Sequence, residues 1–198
     1  MPAPANFAAP NVITDPGYLW VAPIGTAEPT PSVTGSKFTD ALPAAWIPFG
    51  ATTDGSTFAY STTVEAIRVA EFFDPIKYAT TERGGSMAFN LANWTLSNYK
   101  RALNGGVAAL TPTGTTGTEL STFEPPAPGS EVRSMIMWES TDATVRILMR
   151  QCIQGGEISS AFQKAPNIAA IPCTFNLEIP MTAGVQPFKI WGAGLNRV

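Results

Sequence analysis

The sequence predicts a mainly β fold: a β-sandwich or flattened barrel with one short α-helix and extended arms and loops. Three observations lead there. Short runs of β-branched, aromatic and aliphatic residues recur along the chain, each bounded by Gly, Pro, Asn or Asp turn signals. Only one segment carries the three-and-four spacing of an amphipathic helix. Nine of the 18 prolines fall in the first 48 residues, beside only four charges, Asp15, Glu28, Lys37 and Asp40. That composition bars helix or a central strand over most of the stretch.

Taken in order, residues 1–17 read as an N-terminal arm. Residues 18–22 (YLWVA) and 45–49 (AWIPF) read as short strands, and Pro48 puts the second at an edge or bulge. Between them, 25–43 form a loop rich in Pro, Thr, Ser and Gly, longer than compact domains usually hold without a function for it. After the Asp54-Gly55 turn signal, Phe58, Tyr60, Thr62 and Val64 alternate with Thr57, Ser61, Thr63 and Glu65, the two-residue period of a strand. The alternation slips past Glu65, which predicts a bulge. Phe72-Phe73-Asp74-Pro75 reads as a turn and 76–91 as a returning strand broken at Gly84-Gly85, so 57–91 make a long β-ribbon.

A helix is expected over 95–104. Asn93 or Thr95 caps its start, Asn104-Gly105 supply a left-handed cap at its end, and Lys100 and Arg101 suit the dipole of its last turn. Leu96, Tyr99 and Leu103 give it one apolar stripe to set on a sheet. Further strands are expected at 118–123, 133–139, 144–153, 157–164, 173–179 and 188–191. There is no internal repeat and no charged linker, so 1–198 read as a single domain.

Composition narrows function. Charged residues make up 14% of the chain, against roughly 25% in an ordinary soluble domain. Much of the surface is therefore neutral or covered by partners. A net charge of −3 lacks the attraction to phosphate on which nucleic-acid binders rely. The N-terminus has neither the basic region nor the apolar core of a signal peptide, and no run approaches the roughly 20 apolar residues of a membrane span. Folding in a reducing cytoplasm is the expectation, with Cys152 and Cys173 as core-packing thiols in strand-like runs.

The chain has no histidine, which removes the usual general base and the commonest metal ligand together. Two cysteines 21 residues apart make no zinc site by themselves. Glu65, Glu71, Asp74 and Glu82 alternate with Arg68, Lys77 and Arg83, as a solvated ribbon face or a salt-bridged interface would, rather than as paired catalytic carboxylates. The glycine pairs at 84, 105 and 155 sit at turns and a cap, not in a phosphate-binding loop. No catalytic, cofactor or metal site is expected. The five tryptophans (Trp20, Trp46, Trp94, Trp138 and Trp191) fit core or interface packing better than a sugar-binding platform.

The order of strand, Pro/Thr/Ser loop, long ribbon and short helix resembles the major tail tube protein of long-tailed bacteriophages, particularly those infecting actinobacteria. The residues that carry the resemblance are Ala22-Pro23-Ile24-Gly25-Thr26, Glu28-Pro29-Thr30, Leu42, Trp46, Gly50, Asp54-Gly55 and Thr57-Phe58, then Glu65, Pro75, Thr80, Thr81 and Phe89, and finally the stretch from Trp94 through Ala102-Leu103 to Gly106. Beyond Val107 only the number and spacing of strands match, and the Thr/Gly/Pro-rich stretch 111–129 departs from the pattern.

The resemblance implies a structural virion protein and not an enzyme: hexameric rings stacked into a tail tube that conducts DNA from capsid to host without binding it. Implied partners are further copies of the chain, the tape measure protein, and the tail tip and tail terminator proteins. The implied location is the virion tail, after assembly in the host cytoplasm. In this setting Arg68, Glu71, Phe72, Phe73, Lys77 and Arg83 are expected at the subunit interface. Glu65 and Glu157 are expected to face an acidic lumen, since fixed cations would hold passing phosphates. Residues 1–15 and 25–43 are expected to become ordered only against neighbouring subunits. Alternatives are a secreted carbohydrate-binding sandwich module, or another virion component such as a capsid decoration or tail-completion protein.

Overall fold

A computed structural model describes residues 16–111, 120–162, 164 and 168–194. Residues 1–15 of the N-terminal arm expected at 1–17 and the first two residues of the strand expected at 118–123 lie outside them. Among the described residues twelve strands and one helix follow in chain order. They are β1 (Tyr18–Pro23), β2 (Val33–Thr34), β3 (Lys37–Phe38), β4 (Ile47–Pro48), β5 (Thr52–Ile67), β6 (Lys77–Leu91), α1 (Leu96–Ala102), β7 (Val107–Thr111), β8 (Leu120–Glu124), β9 (Ser134–Glu139), β10 (Val145–Gln154), β11 (Ile171–Leu177) and β12 (Phe188–Gly192). The fold is mainly β, as the sequence predicts.

The main sheet runs β4-β1-β9-β10-β11-β6-β5, and β12 also pairs with β10. β10 joins two layers. Its first half pairs with β9 on one side and β12 on the other, whereas Cys152–Gln154 pair with Leu177–Phe175 of β11. The register against β9 shifts between Met149 and Cys152, and such a bulge bends a strand from one layer into the next.

Alternation then sorts side chains into two cores. Leu19 and Val21 of β1, Ile136 and Trp138 of β9, and Val145 and Met149 of β10 point inward against Met87, Phe89 and Leu91 of β6 and Ile171, Cys173 and Phe175 of β11. Their strand neighbours Ala22, Met135, Met137 and Leu148 form a second cluster on the outer face, closed by Trp46 with Leu42, Trp20 and Trp191 at its margin. Continuous apolar runs such as SMIMWE need both faces covered. Residues 25–46 supply that second cover. Each large side chain buried this way stabilises by about 1.5–3 kcal/mol.

The loop at 25–43 is thus held by its own domain, contrary to the expectation that only neighbours order it. Trp46 donates from Nε1 to the Ala27 carbonyl at 3.1 Å, and Phe38 donates its N–H to the Ala143 carbonyl at 2.7 Å. Arg146, 2% exposed, binds Asp40 at 2.7 Å and Glu139 at 3.1 Å. Its guanidinium lies 4.5 Å from the centre of the Phe38 ring. Arg150 pairs with Glu28 at 2.5 Å. Within the loop expected at 25–43, β2 and β3 form a small hairpin.

Other expectations change in detail. β6 runs unbroken through Gly84-Gly85. Asp54-Gly55 marks not a turn but an irregularity inside β5, and the second register shift falls between Thr63 and Val64, just before Glu65. α1 keeps Thr95 as its N-cap, with the Thr95 side chain accepting from the Asn98 N–H, but its buried residues are Asn98 and Ala102 rather than the stripe of Leu96, Tyr99 and Leu103. Asn98 donates to the carbonyls of Phe49 at 3.0 Å and Asn93 at 2.8 Å, so a polar side chain stitches the helix to the start of the ribbon.

No strand forms among the described residues of 157–164. That segment is held by side chains: the Tyr99 and Ser160 hydroxyls lie 2.9 Å apart, and Ser160 donates to the Ala170 carbonyl at 2.9 Å. A separate β7-β8 hairpin sits by the helix. Four tryptophans are buried or half-buried, whereas Trp94 is 44% exposed.

Candidate assembly surface

The third strand beside the ribbon ends early. β11 pairs with β6 only from Leu91 to Ser86, so from Gly85 outward β5 is the one partner of β6 among the described residues. Residues 77–85 of β6 then extend on the order of 30 Å as half of a two-stranded arm. Among the described residues, the outer edge of β5 has no strand paired to it. Two-stranded ribbons are marginal in water, and open edges are templates for pairing with another chain.

The arm is also apolar where it should be wet. Phe73 is 100% exposed, Phe72 63% and Tyr78 62%, with Val64, Ile67 and Ile76 also exposed. The tip is shaped by local bonds: the Phe72 N–H donates to the Val69 carbonyl, the Ile76 N–H to the Ile67 carbonyl, and Arg68 Nη1 to the Phe73 carbonyl at 3.3 Å. This fixes a short aromatic knob flanked by the carboxylates of Glu71 and Asp74.

Of the residues assigned to an interface from sequence, Arg68, Glu71, Phe72, Phe73 and Lys77 gather at or beside this tip. Arg83 stands lower on the shaft opposite Thr62. All six are exposed. Glu65, opposite Ala79, lies on the same shaft, but Glu157 does not. It follows Gly156, which packs against Thr174 of β11, whose partner in β6 is Ala88. Glu65 and Glu157 are therefore on the order of 30 Å apart along the ribbon, and the structure does not bring them into one cluster.

Among the described residues no charge on the arm has an ion-pair partner, while the body holds Asp40–Arg146–Glu139, Glu28–Arg150 and Arg133–Glu178. Within the described chain these charges stand exposed, as the solvated ribbon face offered by the sequence would have them, and a salt-bridged interface would need another copy.

A groove of 420 Å³ that sequence reading missed lies beside α1. Its apolar wall includes Ala22, Pro23, Ile47 and Val132, and its rim carries Lys100, Arg101 and Arg133. β4 covers β1 only at Trp20 and Val21, which leaves Ala22 and Pro23 facing this space. Arg101 is half-buried, burial pushes its pKa down, and it has no carboxylate partner among the described residues. It donates to Asn98 Oδ1 at 2.9 Å. The only signal in the sequence was the basic last turn, which the helix dipole already accounts for.

Burial disfavours the thiolate form of both cysteines. Both cysteines are free and buried. Burial pushes the Cys173 thiol up to about 12, and burial with the nearby Glu178 charge pushes Cys152 higher still. Among the described residues no group of His, Cys, Asp and Glu could hold a metal ion, and no helix is long and apolar enough to cross a membrane. A scan against protein-family models finds no match to the chain, and a search of curated proteins finds none either.

Proposed function

We propose that the chain is a structural subunit that assembles with copies of itself, as the major tail tube protein of a long-tailed bacteriophage does. One observation carries this reading: a two-stranded arm with open edges and a fully exposed Phe73 at its tip, projecting from a well-covered body. An isolated monomer gains nothing from such an arm. In a polymer its edges and apolar side chains are covered, and its unpaired charges find partners.

On this reading the subunits form hexameric rings stacked into a tube in the virion tail, and DNA passes through the bore without specific binding. The tape measure, tail tip and tail terminator proteins are the further partners. The net charge of −3 per subunit suits a bore that releases phosphates, with Glu65 or Glu157 facing it. The carbohydrate-binding alternative draws little support, because four of its five candidate tryptophans are buried or half-buried.

Electron microscopy of the purified protein tests the proposal: rings or tubes about one subunit layer thick or more are expected. A protein that stays monomeric at high concentration, with or without a tail-tip template, refutes it.

A further inference from the structure

The tip and the groove are complementary, and they sit too far apart to meet within one molecule. The tip presents two phenylalanines between two carboxylates, Glu71 and Asp74. The groove presents an apolar wall rimmed by Lys100, Arg101 and Arg133, and its volume lies in the range that encloses compact apolar groups. Asn104, on the groove wall, donates to the Gln154 carbonyl at 2.8 Å. Gln154 pairs with Phe175, and Phe175 with Met87 of β6. The groove therefore lies level with Met87, while the arm continues from there to Lys77 and beyond, on the order of 30 Å away.

We infer that the Glu71–Asp74 tip of one copy seats Phe72 and Phe73 in the groove beside α1 of a neighbouring copy. The inference rests on the self-assembly reading and names its partner surface. Because donor and acceptor are different patches at separated places, the contact is heterologous: each copy gives a tip and receives one, so the chain of contacts closes into a ring or continues as a helix. Aromatic side chains supply the buried anchor, and the opposed charges steer it and fix its direction. Arg101, desolvated and without a carboxylate in its own chain among the described residues, gains one from the neighbour.

The test compares the critical concentration for assembly, by sedimentation and electron microscopy, of the wild-type chain, a tip variant (Phe72→Ser with Phe73→Ser), a groove variant (Val132→Glu), and the charge exchange of Glu71→Lys, Asp74→Lys, Lys100→Glu and Arg101→Glu in one chain. The tip residues are exposed, so the tip variant should melt as the wild type does while its critical concentration rises at least tenfold. The groove variant should fail similarly, and an equimolar mixture of the two should stop at a one-to-one pair, since the pair exposes only a disabled tip and a disabled groove. Glu71→Lys with Asp74→Lys alone should weaken assembly, and the fourfold charge exchange should recover part of that loss.

Wild-type assembly with an unchanged critical concentration for the tip variant overturns this docking and leaves the self-assembly reading standing. Failure of the groove variant alone overturns it too, since another segment would then occupy the groove. A wild-type chain that never assembles refutes the broader reading itself.

Discussion

The body and the arm are built from strands with the same alternating pattern and differ in what covers them. Within the body, β1, β9 and β10 are covered on both faces, so their apolar residues fall into an inner and an outer cluster. Along the arm, β5 and β6 keep a strand's alternation, yet beyond Gly85 no other described strand pairs with them and most of their residues are exposed. The teaching is that a regular β pattern specifies a strand without specifying its partner. Stability resides in the body, and the arm's apolar surface is available for association.

The contrast can be broken most forcefully from the body side. Phe175 is 1% exposed and packs against Phe49 and Phe89 at ring separations of 5.9 Å. Phe175→Ala should cost about 3–5 kcal/mol in urea melts of the monomer. A loss under about 1 kcal/mol would mean that the layers do not close around this ring.

Arg146→Leu follows. It removes the cation that pairs with Asp40 and Glu139 among the described residues, leaving two carboxylates without it under the 25–46 loop. Stranding buried charges in this way costs about 3–5 kcal/mol. The loop should also become protease-sensitive, because the Asp40 contact is one of its main anchors. A neutral effect would show that water reaches the site freely.

Much of the body was legible, for reasons that the arm and the outer core make plain. Runs such as YLWVA and VRILMRQCI name their strands because apolar β-branched and aromatic residues recur between turn signals. Thr95 and Asn104 bracket α1 because the backbone groups at helix ends demand such residues. The outer core was missed because proline-rich composition describes how a loop cannot fold, not what it covers: Trp46 and Phe38 were visible, but their target on β9 and β10 was not. Residues 157–164 alternate like a strand, yet no ladder holds the described ones, and the Tyr99–Ser160 contact holds them instead. Likewise the Asn98 contact depends on where Phe49 ends up, 49 residues earlier in the chain. The groove joins Pro23, Ile47, Lys100 and Val132, four separate segments, so no local pattern could announce it.

The helix offers a finer test. Leu103 is only half-buried at the C-cap, so Leu103→Ala should cost about 1 kcal/mol, well under the 2–5 kcal/mol of a full core site. Asn98→Ala should cost more, about 1–3 kcal/mol, since it strips donors from the carbonyls of Phe49 and Asn93. The ranking, read by chemical denaturation, is the outcome that matters. If Leu103 proved the costlier site, the apolar stripe and not the buried amide would dock the helix.

A smaller effect concerns pH and the outer cover. Hydrogen bonding to Arg150 holds the Glu28 carboxyl below its ordinary value of 4.5, against an opposing push from burial. A depressed folded-state pKa means that the contribution is fully present above the ordinary value and is lost as pH falls through the lowered one. Glu28 is a third exposed, so solvent screening keeps the loss under about 1 kcal/mol. Acid titration should loosen the loop near Ala27 before the body melts, and Glu28→Gln should remove that step. A titration unchanged by the substitution would place the acid sensitivity elsewhere.

The smallest effect on the monomer should come from the arm, and there the comparison is sharpest. Arg68 and Lys77 are exposed and lack ion-pair partners among the described residues. Reversing either to Glu should therefore shift monomer stability by no more than about 0.5 kcal/mol. The same reversals change the charge of a surface that is covered only in the polymer, so assembly should weaken while the melting curve stays put. In the body the two readouts would move together, because a side chain buried in its own domain affects the polymer through the fold. A reversal that lowered monomer stability by more than 1 kcal/mol would show that the arm folds back onto its own body in solution. One that left both stability and assembly untouched would remove these two charges from the contact and leave the aromatic tip to account for it.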